Sequence, residues 1–302
     1  MSAVAAPVAP FPLVPRFQIE GISGGVLQGL RRGRGSEPVA TRPYRSGDSM
    51  RTIDWAASAR LSAAHGDDRF VVREYRAEEA PRVVVVQDLR PEMGLHDPAL
   101  PWLHKPAAVR AVLAAIGASA RNARARLAVA AATSAGTELR WLAERDPLPA
   151  TETLDAPPDA LVLTFAALRR RREDLPSGTF VFVVSDFLEA MPAAVWTEAL
   201  ARRWDVVPVV VQDPVWEASF PAVGGLLVPV ADPRDGSVRP IRMRARAARR
   251  LAAEHEERRA QLLLSFQRAG LDPVLVETSA PADVAGAFER WAAGRLARRG
   301  RW

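Results

Sequence analysis

Four short runs of apolar, mostly β-branched residues constrain the fold of this chain more than any other feature. The runs cover residues 82–88, 127–133, 179–186 and 205–211. Segments of helical character are predicted between them, at 105–124, 158–172 and 193–203. Strands that alternate with helices of this length form βαβ units, so the pattern predicts an α/β fold: a parallel sheet flanked by helices.

Polar residues stand where three of these strands end. Asp88 closes the first run, Thr133 the second and Asp186 the third. Functional crevices of open parallel sheets lie beyond the carboxyl ends of the strands. We therefore expect these three side chains to converge on one rim of the sheet.

The rest of the chain divides around this sheet. After it, an edge strand is predicted at 224–230, a hairpin turn at 232–236, a long helix at 243–268, a strand at 272–277 and a final helix at 281–298. Three regions are predicted: an extended Pro-rich segment over 1–20, an N-terminal module over 21–80, and the main domain over 81–298.

Composition excludes several classes of site. The chain has no cysteine, so disulfides, thiolate metal sites and cysteine nucleophiles are ruled out. Its four histidines show no spacing typical of zinc ligands. No apolar run approaches the ~20 residues that span a bilayer, so we expect no membrane insertion and a cytoplasmic location.

The positive charge of the chain suggests one alternative function. The formal net charge is +6 and the isoelectric point is near 10.8. Between Arg239 and Trp302 the chain has 14 arginines against 7 acidic residues, so this C-terminal part accounts for the excess. Arginine clusters neutralise phosphates, and a nucleic-acid or acidic-surface binder that uses the C-terminal helices is therefore kept as the alternative.

One segment resembles a known family signature. From Arg42 the chain reads RPYRSGDSMRTIDWAASAR, ending at Arg60. This closely resembles the pattern RxYxxGDxxRxIDWxxSAR of the family catalogued as domain of unknown function 58. The matching residues are Arg42, Tyr44, Gly47, Asp48, Arg51, Ile53, Asp54, Trp55, Ser58, Ala59 and Arg60. A downstream Asp213-Pro-x-x-Glu217 motif agrees with the same family.

The resemblance implies a fold and a partner but no established catalytic activity. It implies a von Willebrand factor A-like, Rossmann-like domain that begins at the Arg82 strand, with the small N-terminal module packed on it. Members are often encoded beside a MoxR-type AAA+ ATPase, which makes such an ATPase the expected protein partner. Members commonly carry a transmembrane pair before the signature. Because only about twenty residues precede this region here, we expect a version without it.

The signature itself contains residues that can stabilise one another through a helix cap and arginine–carboxylate pairs. Asp48 follows a Ser-Gly turn, where its carboxylate can cap a short helix that begins within Met50–Trp55. Arginines alternate with Asp48 and Asp54 at spacings that allow paired hydrogen bonds. We expect this network to hold the module in place and Trp55 to be a core anchor, with a partner-binding role as the alternative.

The first rim loop departs from the metal site that the resemblance implies. Von Willebrand factor A-like domains often bind Mg²⁺ through Asp-x-Ser-x-Ser, a Thr and a second Asp, and hard oxygen ligands suit that ion. Here the loop reads Asp88-Leu-Arg-Pro-Glu92, so Arg90 and Glu92 replace both serines. We expect no metal, with Arg90 neutralising Asp88 and Asp186. The alternative is Mg²⁺ held by Asp88, Glu92 and Asp186.

These observations favour a protein-interaction module over an enzyme. Ser185 precedes Asp186, but no histidine or lysine base lies near it in sequence and no Gly-x-Ser-x-Gly elbow is present. We therefore predict an adaptor that partners a MoxR-type AAA+ ATPase through the degenerate site formed by Asp88, Arg90, Glu92, Thr133 and Asp186.

Overall fold

The structure is a computed structural model that describes residues 9–16, 40–44, 50, 53–67, 69–74, 80–96, 103–143, 146–150 and 153–299. Its strands are β1 Ala40–Pro43, β2 Val71–Glu74, β3 Arg82–Gln87, β4 Arg126–Thr133, β5 Gly136–Trp141, β6 Phe180–Ser185, β7 Asp205–Val211, β8 Leu226–Ala231, β9 Val238–Met243 and β10 Val274–Val276. Its helices are α1 Trp55–His65, α2 Lys105–Asn122, α3 Ala160–Arg170, α4 Ala193–Ala201, α5 Ala245–Arg268 and α6 Pro281–Arg299.

Six strands form the central sheet in the order β10-β7-β6-β3-β4-β5. All neighbours are parallel except β4 and β5, which are antiparallel. The predicted α/β fold, a parallel sheet flanked by helices, is confirmed. Strand β5 was not predicted from the sequence, because its single buried residue Leu139 gives too weak an apolar pattern to identify a strand.

Both faces of the sheet are covered by helices. Odd-numbered residues of β3, such as Val83, face α2 and α6, and even-numbered ones, such as Val84, face α3, α4 and α5. Because both faces are buried, β3, β6 and β7 are continuous apolar runs without polar alternation. Those runs are the signal that allowed these strands to be predicted.

Residues 9–16 belong to the core, a role that the sequence analysis did not predict for the Pro-rich segment. Phe11 stacks on Phe288 of α6 with ring centroids 4.5 Å apart, and Leu13 and Val14 are fully buried. The backbone N–H of Phe11 donates to the hydroxyl of Ser119 in α2 at 2.9 Å. The segment therefore closes one helical layer of the main domain.

The N-terminal module contains a two-stranded antiparallel sheet, β1 with β2, beside α1. The carboxylate of Asp54 caps α1 by accepting from the N–H of Ala57 at 3.0 Å. Buried Ser58 joins helix to sheet, because its hydroxyl donates to the carbonyl of Asp54 and accepts from the N–H of Val71. The family signature therefore contributes a helix cap and a helix-to-strand tie.

Trp55 is not the core anchor that the sequence predicted, since 58% of it is exposed. It is the first residue of α1, and among the described aromatic rings it contacts Phe70 in an edge arrangement. Tyr44 is exposed, with its N–H bound to the carbonyl of Phe70, and Arg60 donates to the carbonyl of Ala56. The predicted roles of Gly47, Asp48, Arg51 and the Arg42 side chain lie outside the described residues.

Strands β8 and β9 form a separate hairpin. Among the described strands they pair with each other and not with the main sheet, so the prediction that 224–230 is an edge strand is wrong. Residues of β8 are almost entirely exposed, and nothing in its sequence separates an edge strand from a free hairpin. The turn predicted at 232–236 does connect the two strands.

No helix among the described residues is both long enough and apolar enough to cross a membrane.

Candidate functional site

Arg90 lies between two carboxylates at the carboxyl rim of the sheet. Its Nη2 is 2.6 Å from Oδ2 of Asp88 and 3.4 Å from Oδ1 of Asp186. Its Nε donates to both oxygens of Asp88, and its Nη1 reaches Glu189 at 3.1 Å. The tips of β3 and β6 are thus joined through one guanidinium, whose fork matches the geometry of a carboxylate.

Short-range hydrogen bonds shape the two loops that carry these groups. After β3, the carboxylate of Asp88 accepts the N–H of Arg90 at 3.1 Å. After β6, Asp186 accepts the N–H of Leu188 at 3.1 Å, and the hydroxyl of Ser185 accepts the N–H of Phe187 at 3.0 Å. Turns of this kind form where Asp or Ser binds the backbone two residues on. The side chains at the rim therefore stabilise the conformations of the loops that carry them.

Lys105 is a second cation at this rim, and sequence reasoning did not place it in the site. It begins α2, is the only lysine of the chain and is completely buried. Its Nζ is 2.9 Å from Oδ2 of Asp186, pairs with Glu217 and donates to the carbonyl of Glu92 at 3.2 Å. One signal was available, namely a single lysine in a chain whose other cations are all arginine.

The Asp213-Pro-x-x-Glu217 motif brings Glu217 to Lys105. The carboxylate of Asp213 accepts the N–H groups of Val215 and Trp216, each at 2.8 Å, and also that of Leu103. Glu217 accepts the N–H of Asp213 at 2.9 Å with its second oxygen. The motif is therefore a folded turn that fastens the loop after β7 to the start of α2.

Two predicted site residues take other partners. Thr133 ends β4, where its hydroxyl donates to the carbonyl of Gly136 and accepts from the N–H of Ala135. It serves the tight turn into β5, and the hydrogen bonds of the described residues do not connect it with Asp88 or Asp186. Because β3, β4 and β6 run parallel, all three strands end at the same rim, and of the three side chains Arg90 joins Asp88 and Asp186.

Glu92 pairs with a residue outside the rim cluster. It lies in the 3-10 turn Pro91–Gly94 and pairs with Arg234 of the hairpin turn, with Nε and Oε1 2.8 Å apart. Its carboxylate is therefore not placed to coordinate an ion together with Asp88 and Asp186. What it does instead is attach the hairpin turn to the rim.

Both buried cations keep their charge. Burial lowers the pKa of Arg90, but the hydrogen bond and charge of Asp88, with Asp186 and Glu189, outweigh it and raise the pKa above its usual value. Burial likewise lowers the pKa of Lys105, and the charges of Asp186 and Glu217 raise it overall. The rim therefore holds two fixed positive charges within a cluster of carboxylates.

The residues present do not fit the divalent metal that the fold type implies. Both oxygens of Asp88 accept from Arg90, and Ser185 donates to one of them at 2.6 Å. Both oxygens of Asp186 are engaged as well, one by Arg90 and the other by Lys105. A divalent ion would have to displace these donors and lie beside two cations that cannot leave, which Coulomb repulsion opposes.

Burial limits what the cluster can do. Asp88, Arg90, Lys105, Ser185 and Asp186 are all buried, so a partner or substrate cannot touch them directly. Glu189 is the exposed member of the network. The arrangement therefore fixes the geometry of the rim loops rather than offering a reactive group to solvent.

This architecture defines the class as an α/β domain with a mostly parallel sheet, in which Arg90 and Lys105 pair with the carboxylates at the carboxyl rim. The model of the family described as "Protein of unknown function DUF58" matches residues 40–261. The chain belongs to this family. It is 28% identical over 249 residues to uncharacterized proteins of Mycobacterium bovis and Mycobacterium tuberculosis, an alignment that covers 78% of this chain and 73% of each relative.

Two solved structures resemble the chain at low identity. One is described as an aerotolerance-related membrane protein from Bacteroides fragilis with multiple mutations to serines; it has a TM-score of 0.40, 11% identity, and coverage of 71% of this chain and 99% of that chain. The other is the conserved hypothetical protein BatB from Bacteroides thetaiotaomicron, with a TM-score of 0.39, 13% identity, and coverage of 70% and 99%. Similarity at this level carries no functional information.

Proposed function

We propose that the chain is a non-enzymatic adaptor that binds a MoxR-type AAA+ ATPase and does so without a metal ion. The observation that carries the proposal is the buried cluster in which Arg90 and Lys105 pair with Asp88, Asp186 and Glu217. An inaccessible cluster whose carboxylates are already paired with cations cannot take up a partner's carboxylate through a metal, but it holds the surrounding loops in one geometry. A fixed loop surface suits protein recognition, since preorganisation lowers the cost of binding.

The same cluster supports the absence of catalysis. Ser185 is fully buried, and the carboxylate of Asp88 that accepts its hydroxyl is already paired with Arg90. An activated nucleophile needs an available base and access to substrate, and the buried hydroxyl has no such access. The family resemblance, not the rim geometry, supplies the identity of the partner.

Titration with Mg²⁺ or Mn²⁺ is expected to give no binding isotherm in the micromolar range, because the rim already holds two protonated side chains. Isothermal titration calorimetry of the wild-type chain measures this directly. The control is Asp88→Ala, which should give the same flat trace. Micromolar binding in the wild type that disappears in Asp88→Ala would contradict the metal-free site.

Direct binding tests the adaptor function. The purified chain is expected to bind a purified MoxR-type ATPase from the same genome with a dissociation constant that changes little between about 50 and 200 mM salt, since a packed interface is less screened than phosphate contacts. Biolayer interferometry with the immobilised ATPase measures it. Failure of the wild-type chain to bind at either salt concentration would refute the proposed function.

The nucleic-acid alternative has one structural observation in its favour. Exposed arginines follow one another through β9 and the first turns of α5, among them Arg239, Arg242 and Arg246. Binding through phosphates should weaken by orders of magnitude over the same increase in salt. A gel shift with nonspecific duplex DNA at both concentrations distinguishes the two functions.

A further inference from the structure

Both faces of the β8–β9 hairpin are largely exposed, and one of them is apolar except for Arg242. Paired residues on this face are Leu227 with Arg242, Pro229 with Pro240, and Ala231 with Val238, because alternate residues of a strand share a face. Leu227 is 68% and Val238 60% exposed. These six residues are called the hairpin face below. Contiguous apolar surface of this kind on a folded domain marks an interaction site.

The edges of the hairpin are closed to further strands. The N–H of Asp232 donates to the carbonyl of Ser237 at 2.8 Å, so hydrogen-bonded pairs recur at every second residue from there. Pro229 and Pro240 therefore form a non-hydrogen-bonded pair, at which backbone N–H groups would point outward. Each edge lacks a donor at its centre, and proline at such positions prevents strand addition. The hairpin thus offers side chains, not backbone, to a partner.

Both ends of the hairpin are attached to the main domain. At the turn, Arg234 pairs with Glu92 next to the rim cluster. At the base, Met243 is buried, and the chain continues from β9 directly into α5 of the main domain. An isolated two-stranded hairpin is marginally stable in water, so these two attachments hold the exposed face in a defined position beside the rim.

Charge around the hairpin face indicates the chemistry of its partner. No aspartate or glutamate occurs between Val238 and Arg250. Over this stretch the exposed arginines are Arg239, Arg242, Arg244, Arg246 and Arg249. A partner that presents carboxylates next to apolar side chains complements both features. A second copy of the same face supplies no carboxylate for Arg242.

We infer that the hairpin face is the docking surface for a protein partner whose contact region is apolar and flanked by carboxylates. This inference rests on the proposed function, because it names the place where the ATPase partner binds and the chemistry of the surface that the partner contributes. Lys105 of the rim cluster binds the carbonyl of Glu92, and the carboxylate of Glu92 binds Arg234 in the hairpin turn. The hairpin face then contacts the partner.

The test compares two hairpin variants with two matched controls in binding to the purified MoxR-type ATPase. Leu227→Ser/Val238→Ser removes the apolar contact, and Arg242→Glu reverses the charge. Both are expected to weaken binding at least about tenfold, as truncation of central interface residues does. Leu264→Ser and Arg290→Glu, exposed positions on α5 and α6, are expected to stay within about twofold of wild type. Thermal melts check that all variants fold.

The possible outcomes test the adaptor function and the docking surface separately. Equal binding by wild type and both hairpin variants would overturn the docking surface and leave the adaptor function standing. No binding by wild type would overturn the adaptor function and the docking surface with it. A solution mass of two copies that falls to one in Leu227→Ser/Val238→Ser would make a second chain the occupant. DNA binding lost only in Arg242→Glu would make nucleic acid the occupant, and each of these last two results would overturn the inference.

Discussion

Replacement of Lys105 by methionine is expected to lower the free energy of unfolding by about 3–5 kcal/mol, the cost of removing one partner from a buried ion pair. Methionine keeps most of the apolar stem, but Glu217 loses this cation in a buried site and Asp186 is left with Arg90 alone. Urea denaturation followed by circular dichroism measures the change.

Two further variants separate the charge effect from general damage. Arg246→Met removes an exposed cation from α5 and is expected to change stability by no more than about 0.5 kcal/mol. In Lys105→Met/Glu217→Gln one of the stranded carboxylates is also removed, so part of the lost stability should return. If Lys105→Met alone stays within about 1 kcal/mol of wild type, the buried cluster does not hold the rim as the proposed function requires.

The features that were predicted correctly depend on local sequence patterns and on the common direction of parallel strands. The buried strands at 82–88 and 179–186 are continuous apolar runs because helices cover both faces of the sheet. Parallel strands end at the same rim, which places Asp88 near Asp186 without any knowledge of the loops. Arg90 was predicted to lie between them because its position in the loop is that of a metal-ligating serine.

What could not be predicted depends on contacts between distant parts of the chain. Lys105 begins a helix, where a lysine is usually solvated, and its burial depends on Glu217, a residue of the distant loop after β7. Thr133 was expected to act with Asp88 and Asp186, but its hydroxyl serves the turn into β5, a strand that was not recognised. Trp55 was expected in the core because tryptophan is usually buried, whereas it is the exposed first residue of α1.

A second large effect is expected at the opposite, amino end of the sheet, where Arg295→Met should cost about 3 kcal/mol or more of unfolding free energy. Arg295 is buried, and its Nη1 lies 2.9 Å from Asp205 at the start of β7 and 2.9 Å from the carbonyl of Val14. Its guanidinium also lies over the ring of Trp291, 4.4 Å from the centroid. One side chain thus joins the sheet, the N-terminal segment and α6, and urea denaturation measures its loss.

The unfolding free energy that Arg295→Met loses should depend on pH, and the buried carboxyl of Asp205 determines the direction of that dependence. Burial raises the pKa of Asp205 above its usual value of 3.8, and the charge of Arg295 opposes that rise. Without Arg295 the folded-state pKa moves higher. The unfolded chain then releases its proton first as the pH rises, so the folded state loses stability across the interval between the two pKa values. The stability deficit of Arg295→Met relative to wild type should therefore be larger at about pH 7.5 than at about pH 4.5.

The control is Arg298→Met, which removes a largely exposed partner of Asp272 and should show a small stability deficit at both pH values. Equal deficits for Arg295→Met at the two pH values would mean that the stranded carboxyl of Asp205 is not the source of the instability.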